Sequence, residues 1–133
     1  MIFLDSNILM YLVGAPHPHK TDAQLLLERS VAAGERMVTD AEVLQEILHR
    51  YSALGRREAI KPTLGTLLRY VDQVFPVEQA DVLRASEILE EPLGLSARDA
   101  LHIAIMERHG VERIMSFDAD FDRWPGVERI SSV

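Results

Sequence analysis

MIFLDSNILMYL, residues 1–12, joins two apolar runs through Asp5, Ser6 and Asn7. Ile2, Phe3 and Leu4 read as a short strand, and an acid directly after a strand is either a helix N-cap or a functional carboxylate at the strand's carboxyl end. The same strand signal recurs at Met37 to Thr39, Val74 to Val77, Arg113 to Phe117 and Val127 to Ile130. Between these runs, helical spacing covers Thr21 to Ala33, Ala41 to Leu54, Arg57 to Tyr70, Ala80 to Glu90 and Ala97 to His109. Strands alternating with segments of this length predict right-handed crossovers and a mainly parallel sheet between helices, an α/β fold.

Several boundaries carry their own signals. Gly34 and Gly110 follow helical segments where C-terminal caps belong, and Thr39 with Glu42 and Ser96 with Asp99 have capping-box spacing. Pro62 falls inside a helical pattern and predicts a break or restart there.

A chain of 133 residues can bury one core, so residues 1–133 are expected to form a single domain. With 47% hydrophobic and 26% charged residues and a mean hydropathy of 0.00, it has the composition of a folded globular protein. The absence of cysteine removes disulfides, thiolate metal sites and cysteine nucleophiles together, so any metal must be held by oxygen or imidazole. No apolar stretch approaches the roughly 20 residues that span a bilayer, and the N-terminus lacks a basic region of the signal-peptide kind. No membrane association and a cytoplasmic location are the expectation. A formal charge of −7 argues against coating nucleic acid by bulk electrostatics. Acids clustered around a divalent cation would produce the same surplus without making the whole surface repel phosphate.

In parallel sheets, sites gather beyond the carboxyl ends of the strands. Asp5, Asp40 and the group Asp118, Asp120 and Asp122 fall there, and Asp99 comes from the first turn of the helix before the fourth strand. Each has an ordinary role available: Asp5 as an N-cap, Asp99 as an acid suited to a helix dipole, and Asp118 to Asp122 as a turn closed by Pro125 and Gly126. Glu46 sits at the margin of the stripe made by Val43, Leu44, Ile47, Leu48 and Tyr51, where a solvated glutamate is also common. His17 and His19 belong to a proline-broken loop, and His49, His102 and His109 to helices, without ligand spacing.

The acids in their order, with their surroundings, resemble the PIN-domain ribonucleases, specifically toxins of the VapC type. The matching pieces are FLDSNILMYL with Asp5, VLQEIL with Glu46, ARDALHIAIMERHG with Asp99 and IMSFDADFDR with Asp118. The resemblance implies a three-layer α/β/α fold on a five-stranded sheet, and endonucleolytic cleavage of RNA with Mg²⁺ or Mn²⁺ at Asp5, Glu46, Asp99 and Asp118. It implies a supporting role for Ser6 and a secondary one for Asp120. It further implies a cognate antitoxin protein of a type II toxin-antitoxin pair, and a homodimer. Arg50, Arg56, Arg57 and Arg98 are candidates for a basic rim to the site. Two rival readings are a catalytically inactive PIN-like binding module and an aspartyl phosphotransferase. The latter normally carries a second Asp two residues after the first, where this chain has Asn7.

Overall fold

The computed structural model describes residues 1–133. Five strands, β1 (Ile2–Leu4), β2 (Met37–Asp40), β3 (Gln73–Phe75), β4 (Arg113–Met115) and β5 (Glu128–Ile130), form one sheet in the order β3-β2-β1-β4-β5. Every pairing is parallel, with Ile2 opposite both Met37 and Arg113. Six helices connect the strands: α1 (Ser6–Val13), α2 (Pro18–Ala32), α3 (Ala41–Ala53), α4 (Ile60–Tyr70), α5 (Gln79–Ile88) and α6 (Ala97–Arg108).

β1 is central and fully covered, and its side chains join a core of 27 buried apolar residues that includes Val38, Ile47, Leu67, Ile103 and Ile114. The chain builds outward from β1 to β2 and β3, then returns to the other side for β4 and β5. The strand order therefore reverses between β1 and β4, and a sheet of this kind opens its ligand crevice beyond the strands' carboxyl ends at that reversal. Asp5 follows β1 and Asp118 lies three residues past β4, so both acids stand at it.

The expected boundaries hold with local corrections. Gly34 and Gly110 have φ of 71° and 68°, the left-handed conformation that a residue ending a helix in this way needs. Pro62 marks a restart: a 3₁₀ turn at Arg57–Ala59 ends and α4 begins at Ile60, so the proline occupies the first helical turn, where its missing N–H costs nothing. The Thr39-Glu42 capping box does not form. Asp40 caps α3 instead, accepting from the Val43 N–H at 2.8 Å, while the Thr39 hydroxyl donates across the sheet to the Leu4 carbonyl at 2.8 Å. Ser96 does cap α6, accepting from the Asp99 N–H at 3.1 Å. α1 is an additional helix, continuous with β1 through the Asp5 cap, and α2 starts at Pro18 rather than Thr21, with His17 as its N-cap.

Candidate active site

Asp5 is both of the things its sequence position allows. Its Oδ1 accepts from the Ser6 N–H at 2.8 Å and so caps α1, while its Oδ2 accepts from the Ser116 hydroxyl at 2.5 Å and the Asn7 amide at 3.3 Å. Ser116 follows β4, and its oxygen also accepts from the Asp118 N–H at 3.0 Å and the Asn7 amide at 3.2 Å. One hydroxyl, with its donor and both acceptor positions used, ties the end of β1 to the end of β4. Asn7 reinforces the tie by accepting from the Phe117 N–H at 3.2 Å.

Glu46 leaves the solvated margin and is buried, because α3 packs its apolar stripe on the sheet and carries the glutamate inward. Its Oε2 accepts from the Ser6 hydroxyl at 2.8 Å, and its Oε1 meets His102 Nε2 at 2.6 Å. The other ring nitrogen of His102, Nδ1, meets Asp40 Oδ2 at 2.7 Å. An imidazole with a carboxylate on each nitrogen is donating twice, which requires the charged ring. Burial lowers the affinity of His102 for its second proton, but Asp40 and Glu46 outweigh burial and hold its pKa well above the ordinary value. The same contacts, with Ser6, bring Glu46 below its ordinary value against the opposing effect of burial.

The structure gathers the expected acids at one edge of the sheet, in two neighbouring groups. Ligand atoms of Asp5, Glu46 and His102 lie within 4.8 Å of one another, as do those of Asp99, Asp118 and Asp120. Asp118 begins a 3₁₀ turn (Ala119–Arg123) and accepts from the Asp120 N–H at 2.9 Å, so the expected acidic turn forms. Asp122 turns away to a pair with Arg129 at 2.9 Å. Electrostatics join the two groups: burial first, then the charges of Asp118 and Asp5, raise the pKa of Asp99 to about 6. Burial likewise raises that of Asp5, with Glu46 adding to it and His102 and Ser116 opposing. Buried carboxylates this close to one another are a good fit to a hard divalent cation, whose charge would offset both their burial and their mutual repulsion.

Two functional positions had no sequence signal of their own. His102 was indistinguishable from a helix-face histidine, and Ser116 from a strand-end serine, because their partners are distant in the chain. Of the four rim arginines, Arg50 and Arg56 border a pocket beside the site, Arg98 stands 3.8 Å from Glu42, and Arg57 is exposed.

The raised Asp99 fixes the direction of a pH effect. Its folded-state pKa exceeds the unfolded value, so in chelator its contribution to stability is complete below about pH 4 and is lost as pH rises through about 6. A cation must compete with that proton. Mn²⁺ affinity measured calorimetrically is expected to be about tenfold weaker at pH 5 than at pH 7, and Asp99→Asn is expected to flatten this dependence.

Comparison with known proteins agrees with the geometry. The model of the PIN domain matches residues 2–127. Ribonuclease VapC13 of Mycobacterium tuberculosis is 58% identical over 131 residues, covering 98% of this chain and all of that protein. Ribonuclease VapC23 of the same species is 44% identical over 118 residues, covering 89% of this chain and 93% of the relative. Among solved structures, M. tuberculosis VapC20, described as a Sarcin-Ricin loop cleaving toxin, superposes with a TM-score of 0.75 at 23% identity over 92% of this chain and 93% of its own. VapBC2 from Rickettsia felis, bound to a promoter DNA fragment, gives 0.74 at 18% identity over 98% of both chains. With its five parallel strands, its acids at the β1/β4 reversal and near-complete alignment to these relatives, the chain belongs to the PIN-domain family and, within it, to the VapC ribonucleases.

Proposed function

We propose that this chain is an endoribonuclease that hydrolyses RNA phosphodiesters with Mg²⁺ or Mn²⁺, acting as the toxin of a type II toxin-antitoxin pair, with residues 1–133 working as one domain. The observation that carries the reading is the convergence of Asp5, Glu46, Asp99 and Asp118 on the strand-order reversal. Asp5, Asp99 and Asp118 would hold the cation, with Glu46 completing the acid set and Asp120 beside Asp118. All donors are oxygen, which suits Mg²⁺ or Mn²⁺ and leaves no soft ligand for other metals. A divalent cation held there would supply Lewis acidity, offsetting the charge of a phosphodiester and favouring attack by water.

The chain's own groups supply the placement. Ser6 and His102 fix the Glu46 carboxylate on both oxygens, and Ser116 with Asn7 fixes Asp5 relative to Asp118. A site prepared in this way loses little ordering entropy when substrate arrives. An antitoxin protein as partner is supported by structural neighbours, among them a toxin-antitoxin complex from Klebsiella pneumoniae, with a TM-score of 0.69. Val82 and Leu83, exposed on α5, offer an apolar surface for a homodimer. No helix is long and apolar enough to cross a membrane, and a cytoplasmic location goes with an RNA substrate.

Purified protein is expected to cut single-stranded or structured RNA with Mg²⁺ or Mn²⁺ and to stop when EDTA is added. Cleavage that continues undiminished in EDTA would refute the metal-dependent mechanism.

A further inference from the structure

Beside the acids lies a pocket of about 380 Å³, within the range of small-ligand sites. α1 and the turn after it supply Asn7, Met10, Tyr11 and His17, and the C-terminal end of α3 with the segment beyond supplies Arg50 and Arg56. Asn7 belongs to both places, since it borders the pocket and its amide also holds Asp5 and Ser116. An aromatic series leads the same way: Tyr11 lies 4.7 Å from His17 and 5.6 Å from Phe117, which immediately precedes Asp118.

The pocket's charge is opposite to that of the molecule. In a chain of net charge −7, none of its 13 lining residues is acidic, whereas the concavities elsewhere include Asp81 and Glu107, or Glu91 and Asp122. Arg36, Arg84, Arg108, Arg113 and Arg129 are each tied to carboxylates. Arg56 is paired with Glu58 at 2.5 Å, but Arg50 is exposed and carries no such tie. A half-apolar cleft with aromatic rings, free cationic charge and no acid fits a ligand that combines a flat heterocycle with phosphate.

We infer that this pocket is a nucleobase subsite, taking one unpaired base of the RNA next to the scissile phosphate, with Tyr11 and His17 along the base and Arg50 toward the neighbouring phosphate. The assignment rests on the endoribonuclease reading and locates on this chain the place where one base of that RNA would be held. Asn7 couples the two, because a base bordering it lies one side chain away from Asp5.

The test has two arms. In EDTA, the four nucleoside 5′-monophosphates are titrated into ¹⁵N-labelled protein and followed by NMR, with ribose 5-phosphate as the control lacking a base. The expected result is shifts at Tyr11, His17 and Arg50 with the nucleotides that the control does not reproduce. Equal shifts from ribose 5-phosphate would overturn the base assignment. Unmoved resonances would also overturn it, leaving the pocket as a protein-docking surface. In the second arm, Tyr11→Leu and Arg50→Gln are each expected to raise KM for an RNA oligonucleotide about tenfold, with kcat and Mn²⁺ affinity unchanged. Wild-type KM in both variants would overturn the subsite while leaving the nuclease reading intact. A wild-type protein that cuts no RNA would refute the nuclease reading, and the nucleotide titration, which needs no cutting, would still decide the pocket.

Discussion

Asp5→Asn is expected to lower metal-dependent RNA cleavage by at least about a hundredfold while leaving the protein folded. The size follows from removing one charged donor from a preorganised site at the reacting centre, where single groups contribute about 3 kcal/mol or more. The survival of the fold follows from shape. Asparagine keeps an oxygen to cap α1 toward the Ser6 N–H, and its loss of charge removes one of the two carboxylate repulsions that add to burial in raising the pKa of Asp99. Thermal unfolding in EDTA is therefore expected at or slightly above the wild-type temperature, and added Mn²⁺ is expected to stabilise the variant less than it does the wild type. Cleavage by Asp5→Asn at the wild-type rate would sink the proposed site.

His102→Leu is expected to act on stability first. Leucine fills similar space but leaves Asp40 and Glu46 buried without their shared cation. Breaking a buried pair by removing one partner costs about 3–5 kcal/mol, a large part of a typical domain's 5–15 kcal/mol. The measurement is urea unfolding at pH 7. A second variant, Asp40→Asn, keeps a side-chain acceptor toward His102 Nδ1 and is expected to lose only about 1 kcal/mol. Equal and small losses in both variants would mean that the bridge contributes nothing beyond packing. The pH sign is also fixed: the raised pKa of His102 makes its stabilisation complete below its ordinary value of 6.5 and lost only as pH climbs through the higher folded value.

How much could be read from the chain differs by the range of the interaction. The strands and most helices were legible because their periods are local, and the acids were legible because they follow strands. α1 escaped as a separate element because it is eight residues long and continues the apolar run of β1. Capping-box spacing places the N-cap of α3 one residue early, since Thr39 has capping chemistry but its hydroxyl is taken by the Leu4 carbonyl across the sheet. The inward position of Glu46 and the charge of His102 were illegible for a related reason: the partners of His102 lie 62 and 56 residues away in sequence. No local pattern registers a contact of that separation.

Ser116 gives the fold a gauge. Its oxygen touches the Asp5 carboxylate, the Asn7 amide and the Asp118 N–H, so the gap between the first and last acids is spanned by a single small atom. A related chain could keep every acid and still hold them at the wrong width if a larger or apolar side chain stood at that place. Counting carboxylates therefore does not separate a working member of the family from an idle one; the residue two positions before the last acid has to be read with them.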